Sequence, residues 1–100
     1  MSRSAVRFHP DARAEVLEAH RWYRERSEGA GAAFLLELEL ALDEVSKAPE
    51  TWPRDVQWTR RFVLHRFPYV IVYRRRRSAI QIIAVAHAKR RPRYWQARLR

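Results

Sequence analysis

Arg61, His65, Tyr73 and His87 are the residues whose types and spacing could share a reaction. Cleavage of an RNA chain needs no cofactor, because the 2′-hydroxyl attacks its own phosphodiester. A protein has only to orient that hydroxyl, take one proton, give another and stabilise charge on the phosphorane. Guanidinium, imidazole and phenol groups can do all of this. Strand alternation puts Arg61, Val63 and His65 on one face, and Phe62, Leu64 and Arg66 on the other. His87 then shares a face with Ile83 and Val85, and Tyr73 with Tyr69 and Ile71. An exposed face carrying Arg61, His65 and Tyr73, with His87 at a strand end, would bind phosphate. The same four residues also fit ordinary strand packing, and the pattern leaves open which sheet face is exposed.

Other chemistries find less support. His9, His20, His65 and His87 are widely spaced, with no H-E-x-x-H motif and no cysteine to join them, so no metal site is expected. Glycine-rich phosphate loops are absent, which removes nucleotide-dependent catalysis. Ser78 has no acid near it in sequence to complete a nucleophilic triad. The absence of cysteine excludes disulfides and fits a reducing compartment. The opening residues, MSRSAVRFHP, carry no apolar core of a secretory signal, and no apolar run approaches the ~18 residues of a membrane span. A cytoplasmic protein is expected.

Charge is the strongest compositional signal. Twenty-one Lys and Arg face 11 Asp and Glu, a net +10, and only Lys47 and Lys89 are lysines. Every acid lies at or before Asp55, so residues 56–100 are purely cationic. Such a half attracts polyanions, and arginine forks suit phosphate and carboxylate. The run Arg74 to Arg77 falls where a hairpin turn is expected; it reads as solvated charge or as a phosphate contact.

These residues must be positioned by a small set of elements. The 47% hydrophobic content with two glycines indicates one folded domain over 1–100. Residues 4–8 read as a strand, and His9-Pro10-Asp11 opens a helix with proline at its first position. Ala12, Val16, Ala19 and Tyr23 carry its apolar stripe, and the SEGAG stretch at 27–31 breaks it. A second helix is expected from about Ala32, with Phe34, Leu35, Leu38, Leu42 and Val45 on one stripe and Glu37, Glu44 and Lys47 off it, until Pro49. Residues 60–67, 69–75 and 78–87 read as three strands, antiparallel because their connections are short. A helical turn follows from Pro92, with Trp95 as a lid on the core. The result is an α+β domain of order β-α-α-β-β-β, a helical hairpin on one face of a small, mainly antiparallel sheet.

The chain resembles the RelE/ParE superfamily of bacterial type II toxins over nearly its whole length. The resemblance rests on VRFHPDARAEVLEAHRWYRE, on FLLELELALDEVSKAPETWP, and on RRFVLHRFPYVIVYRRRRSAIQIIAVAHAKRRPRYWQAR. It implies the same fold, a neighbouring antitoxin that wraps and neutralises the toxin, and one of two activities. RelE-like members cleave mRNA in the ribosomal A site with basic residues and a C-terminal tyrosine; ParE-like members inhibit DNA gyrase and cleave no RNA. Carried over, the ribonuclease pattern places a basic residue at Arg61, a basic residue after the last strand at His87, Lys89 or Arg90, and the tail tyrosine at Tyr94. It departs at Val63, where that face would carry another basic residue, and at Val70, where an arginine would follow Tyr69. His65 and His87 would stand in for the missing groups.

The expectation is therefore a growth-arresting toxin acting by metal-independent, ribosome-dependent mRNA cleavage. His87, Arg61, His65 and Tyr94 would be catalytic, and Arg66, Lys89, Arg90 and Arg91 would hold phosphate, with no cofactor. The alternative is a non-enzymatic inhibitor of gyrase, and a third reading is an inactive relic kept for partner binding. The expected partners are an antitoxin with an acidic segment, in a hetero-oligomer, and the ribosome with its mRNA or else gyrase; no membrane is involved.

Overall fold

A computed structural model describes residues 4–100; residues 1–3 of the expected 1–100 domain lie outside the described part. The first strand, β1 (Ala5–Phe8), ends at His9, whose Nδ1 accepts the Asp11 N–H at 3.0 Å and so caps helix α1 (Pro10–Arg26). Pro10 sits where its missing N–H costs nothing. The helix stops at Ser27, whose backbone turns extended while its N–H still reaches the Tyr23 carbonyl. The same serine caps α2 (Glu28–Lys47), its Oγ accepting from Ala30 N–H at 2.9 Å.

One residue thus separates the helices, where the glycines had suggested a five-residue break and a start near Ala32. Gly31 lies inside α2 for a packing reason. A Cβ there would come within 3.0 Å of Arg24 Cβ and 3.1 Å of its Cα, so the missing side chain lets α2 approach α1.

Beyond Pro49 a loop leads through a tight turn at Val56–Trp58 to β2 (Thr59–Val63), β3 (Tyr69–Arg76) and β4 (Ala79–His87). The sheet order is β1-β4-β3-β2, with β1 parallel to β4 and the other pairs antiparallel. This is the expected helical hairpin on a four-stranded sheet. Phe34, Leu38 and Val45 of α2 meet Phe62, Ile71 and Ile82 in the main core. Pro53 and Arg54 cover part of the outer edge of β2, where Arg61 N–H donates to the Pro53 carbonyl. On the second sheet face, Val70, Val72, Ile83, Ala84 and Ala86 are covered by Trp95, which is 3% exposed. Trp95 precedes a 3-10 turn at Gln96–Leu99, so the tail is a lid, as its composition suggested. Among the described residues no helix is long and apolar enough to cross a membrane.

Three strand expectations need correction. β2 ends at Val63 rather than Phe67, because the buried Glu37 carboxylate accepts the backbone N–H groups of His65 and Arg66 and takes them out of the ladder. His65 therefore does not share a strand face with Arg61. A bulge lies between Val72 and Tyr73: Val72 faces Ala84 while Tyr73 faces Ile82, which leaves Ile83 as the extra residue. Ile83 turns to the lid side, whereas Val85 stays in the main core. Tyr73 is 1% exposed and donates its hydroxyl to the Pro49 carbonyl at 2.6 Å, and burial pushes its phenol up to about 12. It belongs to the core and not to an open face.

The glycine pair tests the helix contact. Gly31→Val should lower the denaturant midpoint by the equivalent of about 1–3 kcal/mol, as overpacking does. Gly29→Ala meets only Ser27 Oγ at 3.9 Å and should raise the midpoint slightly, by less than about 1 kcal/mol.

Candidate functional site

One end of the molecule collects most of the singled-out residues, and Glu15 organises it. Glu15 follows Ala12 by three positions and precedes Ala19 by four, so helical spacing turns it inward toward β4. Its carboxylate accepts Val85 N–H at 2.9 Å, the Tyr94 hydroxyl at 2.5 Å, and both terminal nitrogens of Arg98 at 3.0 and 2.9 Å. Arg98 also donates to the Ile83 carbonyl at 3.0 Å. Burial and then the hydrogen bond to Glu15 push the Tyr94 phenol far above its ordinary range. At neutral pH Tyr94 is a fixed donor already committed to a partner.

Above this carboxylate opens a cleft of about 460 Å³, walled by Trp22, Tyr23, Tyr69, Tyr94 and His87. Arg90 stacks over Tyr94 at 3.8 Å, and His87 meets Tyr69 edge to face at 5.1 Å. Burial pushes the Tyr69 phenol up. His87 Nδ1 accepts Lys89 N–H at 3.0 Å, while its carbonyl accepts Arg90 N–H. A nitrogen that accepts carries no proton, so the neutral ring holds its proton on Nε2.

A second hollow, of about 200 Å³, lies behind the same strand end. Arg61, His87, Arg90, Arg91 and Tyr94 all border it. Asp55 stands at its rim, bonded to Arg93 at 3.0 Å. Burial alone would raise the Asp55 carboxyl, but the Arg93 and Val56 hydrogen bonds and the Arg61 charge outweigh it and hold it below the usual range.

The structure therefore brings five of the eight candidates together: Arg61, His87, Arg90, Arg91 and Tyr94. His65 and Arg66 lie on the turn after β2 beside α2, away from His87; His65 still shares a hollow of about 460 Å³ with Arg61, Trp52 and Val63. Lys89 is exposed, and its backbone N–H serves His87. Among the described residues no group of three or more His, Cys, Asp or Glu is placed to hold a metal ion. The cluster presents cations and donors. Of its carboxylates Glu15 and Asp55 are already satisfied by donors, while Glu18 stands exposed at the rim of the cleft.

Three residues that matter here were not singled out: Glu15, Glu37 and Arg98. The two glutamates carried a signal. Each occupies a position of its helix's buried face, Glu15 between Ala12 and Ala19 and Glu37 between Phe34 and Ala41, which corrects the expectation that Glu37 lies off the stripe. An acid in such a place marks a buried acceptor awaiting donors. Arg98 had no comparable mark among the many arginines.

The fold is a small α+β one, a helical hairpin on a four-stranded sheet with this cluster at one end. The family described as the ParE toxin of the type II toxin–antitoxin system parDE matches residues 6–92, and the chain belongs to it. Among solved structures, the chromosomal ParDE system from P. aeruginosa is similar, with a TM-score of 0.68 at 15% identity. The match covers 86% of this chain and 97% of that one, a likeness of fold. No curated protein sequence matches the chain.

Glu37 makes the turn after β2 sensitive to pH. Burial would raise its carboxyl, but the backbone N–H and guanidinium of Arg66 and the N–H of His65 together hold it below the ordinary carboxylate value. A depressed carboxylate stabilises the fold above its unfolded value of 4.5 and loses that contribution as pH falls below it. Glu37→Gln should lower stability at pH 7 by about 1–3 kcal/mol. It should also flatten the acid limb of a stability–pH curve measured by urea unfolding.

Proposed function

We propose that this chain arrests growth by binding DNA gyrase, without cutting RNA, and that a cognate antitoxin neutralises it. The observation that carries this reading is the committed state of Tyr94. Its hydroxyl is already given to Glu15, in a site where Arg98 and Val85 N–H fill the remaining acceptor positions. General acid–base cleavage needs a proton acceptor and a donor within reach of one reacting phosphate. His65 stands away from His87, and His87 Nδ1 is occupied. Membership of the ParE toxin family supports the gyrase target.

The surface is that of a protein-binding molecule. Leu17, Trp22, Leu36, Leu40 and Val63 are large apolar side chains left exposed on a 100-residue chain. A net charge of +10 suits an acidic antitoxin segment that folds as it binds. The mRNA-cleaving reading keeps one observation in its favour: Arg61, His87, Arg90 and Arg91 border a single hollow that would fit a phosphate.

The two readings part in a direct comparison. Purified chain added to gyrase and relaxed plasmid should abolish supercoiling, while 5′-end mapping of mRNA after induction should show no new ends. New mRNA ends appearing within minutes of induction, with supercoiling intact, would overturn the gyrase reading.

A further inference from the structure

The far end of the sheet, away from the Glu15 cluster, has a feature that neither reading uses. Trp58 is 84% exposed, more than any other large apolar side chain described. Hydrophobic burial would draw an indole inward, yet here the backbone holds it out. Gln57 and Trp58 adopt φ of 52° and 66° in succession, the left-handed region that side-chain-bearing residues avoid. The strained turn is pinned from several sides. Asp55 Oδ1 accepts Val56 N–H at 2.8 Å, Thr59 Oγ1 donates to the Val56 carbonyl at 2.6 Å, and Asp55 N–H donates to the Thr59 carbonyl at 2.8 Å. Gln96 adds a bond to the Gln57 side chain at 3.0 Å. Strain held this firmly usually serves a function, and what it achieves here is an open indole face.

That face stands in a field of arginines. Thr59 pairs with Arg74 in the ladder, which sets Trp58 level with Arg75. A hollow of about 280 Å³ runs beside Trp58, bordered by Arg54, Arg60, Arg74 and Arg75. Arg76 and Arg77 follow Arg75 directly in the chain at the β3–β4 hairpin, both exposed, with Arg77 in the turn at φ 57°. The only acid among the described residues that borders the hollow is Glu50, and it is engaged with Arg75 at 3.3 Å. Arg60 and Arg74 are partly occupied by carbonyls and by Gln81. The side chains of Arg54, Arg76 and Arg77 have no hydrogen bond or ion pair among the described residues, and so point free guanidinium forks outward. A run of like charges without acids is costly to crowd together unless a polyanion neutralises it.

We propose that this end of the sheet binds single-stranded nucleic acid, with Trp58 stacking on an unpaired base and Arg54, Arg76 and Arg77 holding the flanking phosphates. An exposed aromatic face inside a basic surface is the pairing that single strands require, because only an unpaired base offers its ring. A duplex hides those faces; an anionic membrane would also take an indole at its interface, and the vesicle arm of the test separates that case. The site is separate from the hollow of Arg61, His87, Arg90 and Arg91. It does not depend on the gyrase reading, since the ligand is the nucleic acid itself.

The test is fluorescence anisotropy of a labelled oligothymidine with the purified full chain, without gyrase, over a series of salt concentrations. Oligouridine, a duplex of equal length, and phosphatidylglycerol vesicles are run beside it. Trp58→Ala should weaken oligothymidine binding about tenfold, the usual loss of one stacked base, and Trp58→Tyr should restore most of it. Arg76→Ala with Arg77→Ala should reduce the slope of log affinity against log salt by about 1.4, or 0.7 for each phosphate no longer neutralised. The pair Arg7→Ala and Arg21→Ala, exposed on β1 and α1, should bind like the unaltered chain. Thermal melts of every variant show that the fold is kept, since all these side chains are exposed. The relative affinity for oligothymidine and oligouridine tells whether the strand is DNA or RNA. Tighter binding to duplex or vesicles than to single strands would overturn the proposal. So would equal losses from the Arg7/Arg21 and Arg76/Arg77 pairs, or an affinity unmoved by Trp58→Ala.

Discussion

The rest of this structure depends on the Glu15 carboxylate. A carboxylate taken out of water is strongly unfavourable unless donors surround it. Here they come from three parts of the chain: a β4 amide at Val85, a tail hydroxyl at Tyr94, and a guanidinium at Arg98. None is close to Glu15 in sequence. The need to satisfy one charge on α1 therefore decides where the last residues go. Once Tyr94 and Arg98 are held, Trp95 lies on Val70, Val72, Ile83, Ala84 and Ala86, and the second face of the sheet is closed. Glu37 repeats the arrangement on α2, fixing the turn after β2 through His65 and Arg66.

Both carboxylates show why the fold was legible in the sequence while the site was only half so. Element order, helix stripes and antiparallel strand pairing are local, and they follow from period and proline placement. The parallel pairing of β1 with β4 is the mixed element in an otherwise antiparallel sheet. What local pattern did not show was where long-range donors would land. Nothing around His65 announces that an acid 28 positions earlier takes its N–H and ends the strand. Alternation counted Ile83, Val85 and His87 on one face, but the bulge opposite Val72 and Tyr73 inserts a residue and turns Ile83 over. Tyr73 looked able to face solvent, and the Pro49 carbonyl shows where its hydroxyl goes instead. Gly31 looked like a helix breaker by composition and is a close-approach residue by position.

The charge distribution divides the molecule's work. Acids are gathered on the helices and in the loop before β2, and arginines stand at both ends of the sheet. At one end Arg61, Arg90 and Arg91 border a hollow beside an aromatic cleft; at the other, Arg54, Arg60, Arg74 and Arg75 border a hollow beside an exposed indole. Leu17 and Trp22 on α1, Leu36 and Leu40 on α2 and Val63 on β2 are further apolar side chains left exposed.

The status of Tyr94 is the point on which the functional reading turns, and growth arrest by Tyr94→Phe decides it. Removing the hydroxyl leaves Glu15 with Arg98 and Val85 N–H, so the tail should stay docked. If Tyr94 acts only as a bolt between α1 and the tail, induction of Tyr94→Phe in a host without antitoxin arrests growth as the unaltered chain does. Loss of arrest while the tail amides remain protected from hydrogen exchange would contradict this and make the phenol a reacting group.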